Sequence, residues 1–368
     1  MPEIAKRSSV LADGRELLYF DDAESGLPPD RAEDLRDLPP RPPTATMRQD
    51  PLTGEWVSIA TARQSRVLMP PVELDPLAPQ TTANPSEVPS DYDVVVFENR
   101  SPSFGPSAGD QPLDLHGIGL NRSAPSIGRC EVICFSPEHE GSLGSVSATR
   151  ARTVIAAWAD RTAALSALPG VAQVFPFENR GEAIGVTLRH PHGQIYGYPY
   201  ITPRTRRVLD SIDQYGPALF GDILASERTG DRVLLAGEHW TAFVPFAARW
   251  PIEIHMLPHR QVADLAATTP EERDELARLY LRLLRGLDAM YETPTPYIAA
   301  WHQAPVRSHR DVVRLSLQIT SPRRGEDRLK FTAGSEAAMG AWVGDVLPEA
   351  QADHLREAID RADKENPV

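Results

Sequence analysis

The stretch Leu188-Arg189-His190-Pro191-His192-Gly193-Gln194-Ile195-Tyr196 lies between two strand-like runs of the chain. Two histidines two positions apart on an extended segment point to the same face of a sheet. Pro191 between them donates no ladder hydrogen bond, and Gly193 lets the backbone approach a ligand closely. Neutral imidazole is a nucleophile near neutral pH, and Gln194 offers an amide donor to a phosphoryl oxygen. The stretch predicts transfer of a phosphoryl or nucleotidyl group by way of a covalent bond to a histidine. The alternative is a structural or metal-binding histidine pair.

This stretch belongs to the first of two copies of one order of elements. The first copy runs from a strand through Ser136-Pro137-Glu138-His139 and a long helix to Phe177-Glu178-Asn179 and the histidine stretch. The second runs from a strand through Met256-Leu257-Pro258-His259 and a long helix to Ala300-Trp301-His302 and Arg314-x-Ser316-x-Gln318-Ile319. The second copy therefore keeps the frame without either histidine of the stretch. This order predicts an α+β fold of duplicated units, each a mostly antiparallel sheet flanked by helices.

Apolar residues at helical spacing predict two long helices, over 148–168 and 270–291. The second has a start signal, with Thr269 as N-cap, Pro270 in the first turn and Glu272 three residues after the cap. Strands are predicted at 93–98, 131–136, 172–178, 184–188, 194–201, 241–246, 252–257 and 314–320. Residues 1–46, acidic and proline-rich from residue 21 onward, are predicted to form an extended N-terminal arm.

The bulk properties exclude several classes of protein. The 368 residues carry a formal net charge of -13, which repels nucleic-acid backbones and anionic membranes. No apolar run reaches the ~18 residues that span a bilayer, and the N-terminus has no apolar signal core. The two cysteines, Cys130 and Cys134, lie four apart in an apolar run, which does not suit a short-range disulfide. We therefore expect a cytoplasmic protein with reduced thiols that binds neither nucleic acid nor membrane.

The chain resembles the galactose-1-phosphate uridylyltransferase family of the histidine-triad superfamily. The resemblance covers roughly residues 45–345 and is carried by nine colinear segments. They are 47–57, 95–100, 130–135, 177–181, 190–194, 242–246, 301–305, 330–331 and 334–336. It implies two histidine-triad-like halves, the first over 47–203 with the nucleophile and the second over 204–368 with a sugar-phosphate segment.

The resemblance also implies a double displacement on phosphorus. His192 would attack the α-phosphorus of UDP-glucose and expel glucose 1-phosphate, and galactose 1-phosphate would then take the uridylyl group from His192. Gln194 would stabilise charge that develops on the phosphoryl oxygens. His190 would be a former metal ligand or an orienting neighbour of the nucleophile.

Three segments of the family's pattern supply substrate-binding positions. They are Arg63, Arg66 and Asn99 around the nucleotide, Asn179 and Thr187 on a strand approaching the nucleophile, and Lys330, Phe331 and Glu336 in the sugar-phosphate segment. In the family this last segment reaches into the site of the partner subunit, so the resemblance implies a homodimer. Taken alone, Arg63 and Arg66 are more often solvated surface charges, and Asn99 and Asn179 are equally compatible with turn residues.

The chain departs from the family at the zinc site. Many members carry Cys-x-x-Cys where Asp75 and Ala78 stand here, whereas the other two ligand positions survive as His139 and His190. One carboxylate and two imidazoles still form a possible zinc site, although we expect no cofactor to be required. If no metal is held there, Asp75→Ala is expected to leave folding stability unchanged.

A second metal site known in some members also lacks its ligands. Ser316 and Gln318 occupy strand positions that would carry metal-binding side chains, and the segment 204–208 has no matching glutamate. His302 alone remains, so we expect no iron site.

Four alternatives to uridylyl transfer between UDP-glucose and galactose 1-phosphate remain open. The first is a nucleotidyltransferase of specialised metabolism that takes another nucleotide or sugar phosphate. The second is a nucleotide-sugar phosphorylase, although retention of Lys330 and Glu336 favours a sugar phosphate as acceptor. The third is a non-catalytic nucleotide-binding relative, against which the intact His192 and Gln194 argue. The fourth, a metal-dependent hydrolase, is disfavoured by the missing ligands.

Overall fold

The computed structural model describes residues 4–41, 44–65, 69–106 and 120–368. Its strands are β1 (Ala5–Val10), β2 (Glu16–Asp21), β3 (Thr46–Gln49), β4 (Trp56–Ile59), β5 (Val94–Glu98), β6 (Ser123–Pro125), β7 (Arg129–Cys134), β8 (Gln173–Arg180), β9 (His192–Tyr198), β10 (Val233–Ala236), β11 (Trp240–Phe243), β12 (Ile252–Pro258), β13 (Tyr297–His302), β14 (Ser316–Ser321), β15 (Arg323–Gly325) and β16 (Arg328–Leu329). Its α-helices are α1 (Ala148–Ser166), α2 (Pro203–Tyr215), α3 (Leu219–Arg228), α4 (Pro270–Asp288) and α5 (Pro348–Glu365). No described helix combines the length and the apolar character needed to cross a membrane.

The main sheet confirms the predicted α+β fold of duplicated units. Eleven strands pair in the order β1-β2-β5-β7-β9-β8-β13-β14-β12-β11-β10, and every pairing in the sheet is antiparallel. Strands β7, β9 and β8 of the first copy mirror β12, β14 and β13 of the second. The copies meet where β8 pairs with β13, and Phe177 there lies opposite Ala300, its own counterpart in the repeat.

The two predicted long helices cover one face of this sheet. Helix α4 begins with the predicted capping box, because Thr269 Oγ1 accepts from the Glu272 amide and the Glu272 carboxylate accepts from the Thr269 amide. Helices α1 and α4 end two or three residues earlier than predicted. Between them and the sheet lies the core, in which Trp158, Tyr280 and Trp301 are in mutual aromatic contact. The opposite face, called the open face below, carries the histidines.

The first strands of the chain differ from the predicted extended arm. Strand β2 pairs with β5 inside the main sheet, and β1 forms the edge. Leu18 and Phe20 of β2 join the core under the helices, whereas Leu17 and Tyr19 pack against loops on the open face. Because both faces of β2 are covered, its apolar run shows no alternation that would mark it as a strand.

The proline-rich stretch from residue 69 to 92 covers part of the open face. Its Leu77, Val88 and Tyr92 pack on apolar side chains of β2, β5 and β7. The packing of this stretch on the sheet places Asp75 next to His139 and His190. Cys134 lies beneath this stretch, and both cysteines of the chain are buried and free, as expected from their spacing.

The predicted strand at 184–188 is wrong. A short helical turn, Glu182–Ile184, and a loop occupy this part of the chain instead. Gly181 and Gly185 flank the turn with φ of 97° and 82°, and such positive values are incompatible with an extended ladder. Ile184, Val186 and Leu188, which alternate around Gly185, mimicked a strand in the sequence.

A buried carboxylate lies behind the sheet where the two copies join. Glu178 of β8 is 3% exposed, and its Oε1 accepts a 3.0 Å hydrogen bond from the Tyr297 hydroxyl. Its Oε2 has no hydrogen-bond partner within the described ranges. Burial raises the pKa of Glu178 to about 7.

We expect Glu178→Gln to be stabilising above pH 7 and nearly neutral near pH 5. Because the pKa is raised on folding, the folded protein retains a proton between pH 4.5 and 7 that the unfolded chain releases. Wild-type stability therefore falls over this window, by about 1.4 kcal/mol per pH unit and roughly 3 kcal/mol in total. Urea unfolding of both proteins from pH 5 to 9 measures the difference. Glu357→Gln, an exposed change on α5, is the control for loss of one charge, and a pH-independent difference at Glu178 would contradict this account.

Candidate active site

Strand β9 presents its side chains in strict alternation. His192, Gln194 and Tyr196 are half-exposed on the open face, whereas Gly193 and Ile195 are buried on the opposite face. A Cβ at Gly193 would lie 2.8 Å from the Phe177 carbonyl oxygen and 2.9 Å from the Phe135 ring. Glycine is therefore required there by packing on the core side, and not, as the sequence suggested, by a ligand.

The His192 ring is held in one orientation by the backbone of its own motif. Its Nδ1 lies 2.7 Å from the carbonyl oxygen of His190. Because a carbonyl only accepts, Nδ1 carries the proton and the lone pair resides on Nε2. This is the tautomer that a nucleophilic imidazole needs.

Gln194 is oriented by a residue that the sequence analysis missed. The Tyr196 hydroxyl donates to Gln194 Oε1 at 3.1 Å, so the Gln194 amide nitrogen faces the other way and can donate to a ligand. Tyr196 belongs to an aromatic group on the open face, with neighbouring ring centroids 5.1–6.3 Å apart. Its members are Phe104, Phe175, Phe177, Tyr196, Tyr198 and Tyr200. The alternation Gln194-x-Tyr196-x-Tyr198 was the signal available for this face.

Near His192, Asp75, His139 and His190 come together as the sequence predicted. The Nδ1 atoms of His190 and His139 lie 2.7 and 2.8 Å from the same oxygen, Asp75 Oδ2. One donor atom from each of the three residues lies within 4.8 Å of the other two. Burial alone would raise the pKa of Asp75, but the hydrogen bond and charge of His190 lower it to about 2. The three residues form a possible metal-binding triad.

The far side of His190 is fixed as well. His190 is 1% exposed, and its Nε2 lies 2.8 Å from the Ser136 carbonyl oxygen and 2.9 Å from the Tyr92 hydroxyl. Because a carbonyl oxygen only accepts, the His190 Nε2 carries a hydrogen and donates it to Ser136. The other ring nitrogen, Nδ1, faces Asp75. A metal-ligating histidine commonly has its second nitrogen bound in this way, so the donor set fits a divalent cation. The same contacts hold the backbone whose carbonyl orients His192.

The residues predicted for the nucleotide side are only partly brought together. Arg63 lies in the helical turn Thr61–Ser65 with its Nη1 buried and without a hydrogen-bond partner in the described part of the chain. Burial raises the pKa of the Cys130 thiol, and the charge of Arg63 opposes that rise. Cys130 pairs with Tyr196 in the sheet. Arg66 lies outside the described residues. Asn99 Oδ1 accepts from the Ser101 amide at 2.9 Å, the turn contact that was the alternative role for this residue.

Asn179 and Thr187 lie in different kinds of structure. Asn179 is on β8 opposite Ile298, half-exposed beside the joint between the copies. Thr187 is on the loop after Gly185, not on a strand, and its carbonyl accepts from the Met69 amide at 2.9 Å. The prediction that Thr187 lines a strand is therefore wrong.

The predicted sugar-phosphate residues lie in the second half, on the far side of the sheet joint. Lys330 Nζ donates to the Arg249 carbonyl oxygen at 3.0 Å and lies 3.6 Å from Glu336 Oε1. Arg249 precedes β12, which is separated from β9 by β8, β13 and β14. Phe331 is 75% exposed. Within one chain these residues are therefore separated from His192 by three strands of the sheet.

The open face of the second copy carries a different set of side chains. Gln318 stands at the position of Gln194, and its Oε1 accepts from His302 Nε2 at 3.1 Å. Burial and the nearby Arg204 lower the pKa of His302 to about 3, so its ring is neutral. Ser316 stands at the position of His192 in this copy.

Comparisons with known proteins agree with these features. The family described as galactose-1-phosphate uridyl transferase, N-terminal domain, matches residues 41–202, and the corresponding C-terminal domain matches residues 210–365. A galactose-1-phosphate uridylyltransferase of Streptomyces lividans is 42% identical, with 98% of this chain and 99% of the relative covered.

Solved structures show the same architecture. A uridylyltransferase structure superposes with a TM-score of 0.76 at 29% identity, over 86% of this chain and 99% of that one. An ADP-glucose phosphorylase from Arabidopsis thaliana superposes with a TM-score of 0.62 at 20% identity, over 84% and 97%. This second likeness concerns the fold alone.

Proposed function

Because the chain belongs to the galactose-1-phosphate uridylyltransferase family, we propose that it transfers the uridylyl group of UDP-glucose to galactose 1-phosphate through a covalent bond to His192. The observation that carries the covalent step is the 2.7 Å hydrogen bond from His192 Nδ1 to the His190 carbonyl, which leaves the lone pair on Nε2. The protein is a hexose-1-phosphate nucleotidyltransferase.

The transfer proceeds in two displacements. His192 Nε2 forms a bond to the α-phosphorus of UDP-glucose, and the bond from that phosphorus to the bridging oxygen breaks, with its electron pair leaving on glucose 1-phosphate. The ring then carries positive charge, which the His190 carbonyl stabilises through Nδ1–H. A phosphate oxygen of galactose 1-phosphate next attacks the same phosphorus, and the bond to His192 breaks to restore the neutral ring.

The neighbouring residues divide the binding between them. Gln194 donates its amide to the phosphoryl oxygens in both displacements. Arg63 and Arg66 are proposed to bind the phosphates and Asn99 the nucleoside, while Asn179 and Thr187 line the approach to His192. The Nη1 of Arg63, buried and without a hydrogen-bond partner among the described residues, supports this role, since such a guanidinium nitrogen is suited to an anionic ligand.

The second half is proposed to act in the site of a partner subunit. Lys330, Phe331 and Glu336 would bind the sugar phosphate there, in a homodimer of two chains. The chain from residue 331 to 347 supports an intermolecular role because it exposes apolar side chains, among them Phe331, Met339 and Leu347 at 73–80%. In this division the first half, over 47–203, supplies the nucleophile, and the second, over 204–368, supplies the sugar-phosphate segment.

Metal is proposed to be dispensable for the chemistry. Asp75, His139 and His190 would hold zinc through one carboxylate and two imidazole donors, and the ion would fix the backbone under His192. The nucleophile and the phosphoryl donor belong to His192 and Gln194 in either case. We propose no iron site in the second half, because serine and glutamine occupy the ligand positions on β14. The two reduced cysteines support a cytoplasmic location.

Intact mass measured after alkaline denaturation tests the proposal. The protein is incubated with UDP-glucose, UDP-galactose, ADP-glucose or GDP-mannose without an acceptor. A stable increase by one uridylyl group with the UDP-sugars alone is expected. Galactose 1-phosphate should discharge this adduct, whereas discharge by inorganic phosphate would identify a phosphorylase. The absence of an adduct with every donor, together with the absence of exchange, would exclude the covalent mechanism.

A further inference from the structure

The second copy has a buried polar network at the place where the first copy binds its reacting group. Its centre is Glu253 of β12, whose side chain is fully buried. Glu253 Oε1 accepts from Gln318 Nε2 at 2.6 Å and from His255 Nε2 at 3.1 Å. His302 extends the network through Gln318. This copy has Ser316 in place of His192, yet it buries a carboxylate, which is costly without hydrogen-bond donors.

The second oxygen of this carboxylate binds backbone. Glu253 Oε2 accepts from the amide of Arg249 at 2.6 Å and from the amide of Trp250 at 3.3 Å. A buried carboxylate with donors on both oxygens is satisfied and rigid. Glu253 therefore fixes the turn at residues 249–250 relative to the sheet.

The sugar-phosphate segment, residues 330–336, begins on that turn. Lys330 is 4% exposed and donates to the carbonyl oxygens of Arg249 and Val343. Its ammonium lies 5.8 Å from the centre of the Trp342 ring, and Trp342 packs against Trp250 with centroids 5.2 Å apart. Lys330 and Trp342, at the two ends of this chain segment, thus rest on Arg249 and Trp250, the two residues that Glu253 holds.

We propose that Glu253 is a positioning residue for the sugar-phosphate segment. Through the amides of Arg249 and Trp250 it fixes the surface on which Lys330 and Trp342 rest, and so it sets the position of Glu336 beside Lys330 and the direction in which the exposed Phe331 leaves the subunit. The polar network of the second copy then serves the reaction without touching the reacting atoms. This inference rests on the proposed function of Lys330 and Glu336.

A double-mutant cycle with Lys330→Met tests the inference. We expect Glu253→Gln to raise the KM for galactose 1-phosphate about tenfold while uridylylation of His192 still reaches completion. In the Lys330→Met background, Glu253→Gln should add less than about twofold, because both changes remove the same support. Trp250→Leu, which leaves the carboxylate in place, should show the same coupling and keeps the test available if Glu253→Gln does not fold.

The matched control is Glu275→Gln. Glu275 is also buried in the second half and also accepts from loop amides, those of Glu238, His239 and Trp240, but it has no link to Lys330. Its effect on KM should be the same with and without Lys330→Met.

Hydrogen exchange supplies a measurement that does not depend on activity. Amides from 330 to 347 should exchange about tenfold faster in Glu253→Gln than in Glu275→Gln. Equal exchange rates of these amides in the two variants would overturn the inference. So would independent effects of Glu253→Gln and Lys330→Met on the KM for galactose 1-phosphate. If the wild-type protein forms no adduct at all, it is the proposed function that fails, and the exchange result still decides the positioning role.

Discussion

We expect His192→Asn to abolish the uridylyl adduct and to lower turnover by about four orders of magnitude or more. The change removes the nitrogen proposed to bond to phosphorus, and the next side chain on the same face of β9, Gln194, is an amide without nucleophilic character. Losses of this size are typical when the nucleophile of a covalent mechanism is removed. Intact mass and steady-state turnover measure the two effects separately.

Isotope exchange separates a covalent mechanism from direct transfer. Wild-type protein should exchange labelled glucose 1-phosphate into UDP-glucose with no galactose 1-phosphate present, and His192→Asn should not. His259→Asn is the control for loss of one ring; it lies at the second-copy counterpart of His139, bonded to Thr241 and to a backbone carbonyl, and should behave as wild type. Overall transfer that persists in His192→Asn without exchange would point to direct attack by the sugar phosphate.

The sequence predicted what depends on local pattern. The repeat order located the copies that the sheet joins at β8 and β13, and the caps located the start of α4. The alternation on β9 placed His192 and Gln194 on one face. These inferences succeeded because residue spacing along a single element determines them.

The remaining features depend on distant pairing. Strand β2 is buried on both faces, so its sequence carries no alternation. Thr187 was predicted on a strand because apolar residues alternate over 184–188. The positive φ values of Gly181 and Gly185 instead turn the chain into a loop. Tyr92, which lies against His190, comes from a proline-rich stretch that the sequence treated as irregular, since side chains 98 positions apart share no local signal.

The environment of Asp75 reverses one expectation from the sequence. We now expect Asp75→Ala to lower the free energy of unfolding by about 3–5 kcal/mol even when no metal is bound. Asp75 is 1% exposed, and its Oδ2 is the shared partner of two imidazole nitrogens. Its removal leaves the Nδ1 atoms of the buried His190 and of the partly buried His139 without their acceptor, which costs more than the pair itself contributes.

Chemical denaturation with and without a chelator separates this electrostatic loss from a metal effect. A chelator that lowers wild-type stability and leaves Asp75→Ala unchanged would show that zinc adds to the triad. Glu73→Ala, an exposed change two residues away, controls for loss of one carboxylate from the same stretch and should cost less than about 0.5 kcal/mol. Equal stability of Asp75→Ala and Glu73→Ala would mean that the triad does not support the fold.

The turnover of Asp75→Ala should fall together with its stability. His190 contacts Asp75 through its Nδ1 and orients His192 through its backbone carbonyl, so loss of Asp75 affects both. Asp75 thus acts on the orientation of His192 through a single residue, His190.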